Sequence, residues 1–274
     1  DMKGRRYSLA PMHDLAFVFA GFVVGVIVGL TGVGGGSLMT PILIFFFGVK
    51  PYLAIGTDLL FAAFTKMGGT ISFARQRMVP WRVVGQLCLG SVPASLLTLY
   101  VLHTVGPANP KVQAIMTSTL GVALLLTAAA TLYKAVRGKQ LPRAVAEGQL
   151  EAALRPRHWS LPLLFGAVIG TLVTLTSVGA GAIGVTVLLL LYPLLPLHRI
   201  IAADVAYAVP LTLVAGLGHA SLGSVDWALL LKLLAGSIPG IWLGSRLTAK
   251  SPERLVRSLL SVLLAYAGAK LITI

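Results

Sequence analysis

Asp58, Asp204, Lys66 and His219 lie within apolar runs of this chain, and two clusters of glycines and hydroxyls interrupt others. The first cluster is Gly29-Leu30-Thr31-Gly32-Val33-Gly34-Gly35-Gly36-Ser37, followed by Thr40-Pro41; the second is Leu175-Thr176-Ser177-Val178-Gly179-Ala180-Gly181-Ala182. The spacing Leu-Thr-x-Val-Gly-x-Gly recurs between them at an offset of 145 residues. Glycines cost about 0.8–1 kcal/mol each in a helix interior, so each cluster predicts a break between two helices. A helix that restarts there points its free N–H groups and positive dipole end at whatever lies in the gap, which favours an anion. Thr31, Ser37, Thr40, Thr176 and Ser177 add hydroxyls, and Gly34, Gly35, Gly36, Gly179 and Gly181 leave backbone open to a ligand. The competing reading is close helix packing through small residues. The match of the two clusters favours a binding site. No Gly-Lys-Ser/Thr follows, which excludes a phosphate-binding loop.

A carboxylate inside an apolar helix is a functional candidate by default. Asp58 and Asp204 are therefore candidates for ion coupling, with helix capping or hydrogen bonding between repeats as the structural alternative. Lys66 lies well inside its segment, able to pair with Asp58 two turns away or to attract an anion; the second half has Thr212 and Leu213 in that region. For His219, helix-end packing competes with proton transfer. Arg75 and Arg77 are expected to mark the cytoplasmic surface, with an anion-gathering inner mouth as the alternative. No nucleophile–base set or metal-ligand spacing is present, and eight acidic residues in all leave little material for acid–base catalysis. No catalytic residue, metal or cofactor is expected, and an enzyme is not.

The elements that must position these groups are long and apolar. The 274 residues are 57% hydrophobic and 11% charged, far below the share of charge in a soluble domain, which implies a polytopic helical membrane protein. The net charge of +14 comes mainly from basic residues in short loops, a topology signal with no call on nucleic acid. Cys88 can form no internal disulfide, and no cleavable signal peptide is evident.

Residues 1–14 are polar, 15–136 form a first repeat, 137–159 a polar linker, and 160–274 a second repeat. Apolar segments are expected at 15–30, 38–47, 53–73, 83–102 and 112–136, then at 161–175, 183–195, 200–222, 228–247 and 256–274, giving eight to ten membrane segments. The first is only about 24 Å long, short of a hydrocarbon core of about 30 Å. Residues 142–154 suit an amphipathic helix on the membrane surface. Pro51 matches Pro196, and, after one inserted residue, Asp58 matches Asp204, Trp81 matches Trp227 and Gly90-Ser91-Val92-Pro93 matches Gly236-Ser237-Ile238-Pro239. Duplication of this kind is common in secondary transporters. Inverted repeats are the preferred arrangement. They place 14 loop cations on the cytoplasmic side and six outside, against 13 and seven for parallel repeats.

The two glycine motifs, Thr57-Asp58, Gly218-His219 and Gly236–Gly240 together resemble the TauE/SafE family of membrane permeases, over nearly the whole chain from about Leu15. The resemblance implies a multi-pass bacterial inner-membrane transporter for a small sulfur-containing anion such as sulfite, sulfoacetate or a related organosulfonate. Export by alternating access, with Asp58, Asp204 or His219 coupling protons, is the expected mechanism; a passive anion channel of the same fold is the alternative. The expected partners are that anion and the lipid bilayer, and a homodimer is left open. In the second motif Ala180 replaces Gly35 and Ala182 replaces Ser37, so the two half-sites are not chemically identical.

Overall fold

The computed structural model describes residues 4–31, 36–137, 160–179, 181–247 and 253–273. Ten helices are found among them: α1 (Gly4–Thr31), α2 (Gly36–Phe47), α3 (Pro51–Arg75), α4 (Trp81–Val105), α5 (Pro110–Arg137), α6 (Ser160–Thr176), α7 (Ala182–Leu191), α8 (Leu197–Ser221), α9 (Trp227–Leu247) and α10 (Glu253–Ile272). The described residues form no strand. The linker and its expected amphipathic helix lie outside the described residues.

Four stretches are long and apolar enough to cross a bilayer: 81–105, 110–133, 197–221 and 227–244. The apolar parts of α1, α2, α6 and α10 are shorter. Helix α3, expected as a span, has the length at 25 residues but carries Asp58, Lys66 and Arg75, and is buried over most of its first half. Protein surrounds that first half, while Phe64 and Ile71 farther along are exposed. The segment expected at 183–195 ends as helix at Leu191, because Tyr192 leaves helical geometry and Pro193 follows. Helix α1 starts upstream of the expected apolar segment, at Gly4. Large apolar side chains on the outer faces of α4, α9 and α10 are exposed, among them Leu97, Tyr100, Leu231 and Leu259. In a bilayer, lipid covers them.

Packing between the two halves is reciprocal. Helix α1 packs on α9, and α6, its counterpart by sequence, packs on α4, the counterpart of α9. Helices α3 and α8 pack on each other, as do α5 and α10. Glycine makes these approaches possible. A Cβ on Gly236 would stand 1.9 Å from the Val18 carbonyl oxygen, and one on Gly240 2.3 Å from that of Phe22. On the matching seam, a Cβ on Gly90 would stand 2.1 Å from the Leu163 carbonyl oxygen. The recurring Gly-Ser-x-Pro motif is thus a helix-contact seam, built on small residues as membrane helix pairs are.

The glycines also give the chain directions. Gly56 lies against His219 and Ser224, Gly216 against Leu60, and Gly69 against Val205, so α3 and α8 cross antiparallel. Gly121 meets Leu271 and Ile272 while Gly268 meets Leu124 and Leu125, so α5 and α10 are antiparallel as well.

Candidate functional site

The unwound segment between α6 and α7 is the centre of the site. Ser177 has φ 60°, Gly179 133° and Gly181 137°. The glycine values belong to conformations that side chains rarely adopt, which is why glycine recurs here. Thr176 closes the end of α6: its hydroxyl donates to the Leu172 carbonyl (2.6 Å) and accepts from the Val178 N–H (3.1 Å). That hydroxyl is used by the break itself. Ser177 follows, 4% exposed, and its Oγ has no hydrogen-bond partner.

Asp204 holds the other end of the break. It is the eighth residue of α8, too far in to cap its own helix, whose N-cap is Pro196. Its Oδ1 instead accepts from the Gly181 N–H (3.3 Å), at the N-terminus of α7. The carboxylate lies so close to Gly184 that a Cβ there would stand 2.0 Å from Oδ1. The positive end of the α7 dipole is therefore matched by a carboxylate of the protein itself. An incoming anion does not find that end vacant.

Asp58 is the matching eighth residue of α3, whose N-cap is Lys50. It is fully buried; Oδ2 accepts a hydrogen bond from Thr40 of α2, and Oδ1 has no partner. The Ser177 hydroxyl from the other repeat lies beside this carboxylate. Neither aspartate caps its own helix; each meets the short helix of its own half. Lys66, 8% exposed on α3, lies within reach of both carboxylates. One lysine thus serves both halves of the site.

The remaining candidates divide clearly. Ser37 is buried in the first turn of α2. Thr31 ends α1 and Gly36 begins α2; the Thr31 side chain, Gly34 and Gly35 lie outside the described residues. His219 is buried, its Nε2 is 2.9 Å from the Thr174 carbonyl oxygen, and its Nδ1 has no partner. It tethers the last turn of α6, just before Ser177. Among the described residues no group of His, Cys, Asp or Glu is arranged to hold a metal.

Sequence reasoning did not foresee that Ser95 joins this region. Thr174 Oγ1 is 2.8 Å from Ser95 Oγ, a buried contact between α6 and α4. The only signal was the Gly-Ser-x-Pro motif one turn before it.

The family profile described as sulfite exporter TauE/SafE matches residues 17–271. The chain belongs to the TauE/SafE family. It is a membrane transporter of the multi-pass type, not an enzyme family member. It is 33% identical over 268 residues, 94% of this chain and 100% of the relative, to the probable membrane transporter protein YjnA of Bacillus subtilis. YunE of the same organism, also named a probable membrane transporter protein, is 26% identical over 95% of this chain and 98% of its own length. The archaeal MJ0441 of Methanocaldococcus jannaschii, named in the same way, is 25% identical over 92% of both. No solved structure matches.

Proposed function

We propose that this protein is a secondary transporter that moves a small sulfur-containing anion (sulfite, sulfoacetate or a similar organosulfonate) out of the cell by alternating access, with a proton as the coupling ion. The observation that carries this reading is the site at the α3–α8 contact. It is built from both halves, lined by unwound backbone, and holds a buried lysine between two carboxylates. Unwound backbone at membrane depth is tolerated where it lines a cavity, and discontinuous helices at a repeat interface are where secondary transporters hold substrate. The TauE/SafE profile supports sulfite as the first substrate to try.

The repeats, 15–136 and 160–274, are read as inverted. Equivalent helices that meet on a two-fold axis in the membrane plane cross antiparallel, as α3 with α8 and α5 with α10 do. On this reading the ends of α3, α5 and α9 and the start of α8 share one side, and the basic residues that the sequence has next to them make that side cytoplasmic. Lys66 supplies the positive charge for the anion. Ser177, Ser37 and the backbone at Gly179 supply donors, while the Gly181 N–H is held by Asp204.

The test is counterflow in proteoliposomes. Labelled sulfite should enter vesicles preloaded with unlabelled sulfite, saturably, and faster than it enters empty ones. Flux that never saturates and ignores the preload would mark a channel; no protein-dependent flux of sulfite or a short sulfonate would remove the substrate assignment.

A further inference from the structure

The buried charges do not balance. Among the described residues, the buried acids are Asp58 and Asp204 and the buried strong base is Lys66. With both acids ionised the site is negative before any anion arrives, and an unpaired buried charge is costly. One proton on one carboxylate restores neutrality.

The chemistry of the neighbours says which carboxylate takes it. Asp204 faces the Gly181 N–H, the α7 N-terminus and Lys66. An amide and an ammonium only donate, and all three favour an ionised acceptor. Asp58 accepts from the Thr40 hydroxyl on Oδ2, has the Thr40 N–H and Lys66 near it, and keeps an Oδ1 without a partner beside a Ser177 hydroxyl that has none either. A hydroxyl both donates and accepts. A proton on Asp58 Oδ1 therefore pairs two orphaned groups at once, whereas Asp204 already completes a helix end. Other titratable groups lie on the packed elements. Tyr207 of α8 lies toward Asp204, His219 is engaged with Thr174, and Lys232 of α9 pairs with Asp14 near the surface.

The sequence carries the same asymmetry. At the offset of 145, Thr40 corresponds to Val185 and Ser177 to Gly32. Asp204 has neither hydroxyl at the matching places.

We propose that Asp58 is the carboxyl that binds and releases the coupling proton, with Ser177 of the opposite repeat as its hydrogen-bond partner, while Asp204 stays ionised as a fixed structural anion. The proton comes from a hydronium ion on the open side, leaving water, and adds to Oδ1. Oδ1–H then donates to Ser177 Oγ; when the proton leaves, the Ser177 hydroxyl turns and donates to Oδ1. The latch crosses the repeat interface, so protonation acts on the contact that alternating access must open. This rests on the transporter reading for its purpose, but its chemistry needs no substrate.

The test is infrared spectroscopy of the full chain in lipid nanodiscs, without substrate, from mildly acidic to mildly alkaline pH. The wild type should show the C=O band of a protonated carboxylic acid that fades as pH rises. The band should be lost at every pH in Asp58→Asn, should fade at lower pH in Asp204→Asn, where Asp58 alone balances Lys66, and should be shifted in Ser177→Ala. A wild type with no such band, a band that survives Asp58→Asn, or a band in Asp204→Asn that persists to higher pH than in the wild type would overturn the assignment. If Asp58→Asn does not fold, Ser177→Ala decides: an unshifted band overturns it. Failure of sulfite counterflow with these bands behaving as expected would sink the substrate reading alone.

Discussion

The two half-sites use one pattern for two purposes. In the second half, a glycine at 184 lets the Asp204 carboxylate lie on the backbone, beside the N–H of Gly181. In the first half, position 184 corresponds to Met39, which is fully buried, and Asp58 reaches the Thr40 hydroxyl instead. One carboxylate is bonded to backbone and completes a helix end. The other is bonded to side chains and keeps an oxygen in reserve. A duplicated unit thus keeps its aspartate at both places while a few neighbours give one the task of fixing the break and, on the proposal above, the other that of taking up a proton.

The largest way to break the comparison is to remove the fixed anion. Asp204→Ala strips the acceptor from the α7 N-terminus and leaves Lys66 with less compensation. The expected cost is about 3–5 kcal/mol, seen as a large fall in thermal unfolding temperature in detergent. Asp58→Asn should lower it much less. Next is Gly184→Ala, whose Cβ would meet Asp204 Oδ1 at 2.0 Å. Displacing the carboxylate should cost about 1–3 kcal/mol, and Met39→Ala should not act through Asp58.

Thr40→Val gives the first half the residue that the second has at 185. Losing one hydrogen bond to a carboxylate should cost about 1.5–3 kcal/mol, and sulfite flux should lose activity at the alkaline end first, where Asp58 most needs a donor. The smallest effect has the opposite sign for stability. Ser177 adopts φ 60°, so Ser177→Gly should raise stability by about 0.5–1 kcal/mol once the lost side chain is allowed for. It should also flatten the pH profile of flux, and a stable variant with an unchanged profile would remove Ser177 from the latch.

Much of this was legible in the chain. The breaks follow from glycine runs inside apolar segments, and the offset of 145–146 paired Asp58 with Asp204 before any coordinates. The substitution of Thr40 by Val185 and of Ser177 by Gly32 was also there to read, but its meaning depends on which side chains meet. Spacing along a helix does not say that Ser177 crosses to the other repeat's aspartate. Nor does it say that Asp204 bonds a neighbouring helix end and not its own. The Gly-Ser-x-Pro pair showed the duplication without showing that it packs α1 on α9 and α4 on α6, since contact between distant segments is set by tertiary packing. Helix α3 has the length of a span, and the burial of its first half among other helices permits the polar residues there.

The most direct test is a side-by-side measurement of Asp58→Asn and Asp204→Asn in proteoliposomes, with sulfite flux followed across pH and corrected for sulfite's own ionisation, and with unfolding temperature recorded for each. The account predicts that Asp58→Asn stays folded and transports with a flattened pH profile, whereas Asp204→Asn loses stability and keeps a pH-dependent profile, displaced to lower pH, in whatever fraction remains folded. A flattened profile in Asp204→Asn, with Asp58→Asn unchanged from wild type, would contradict it.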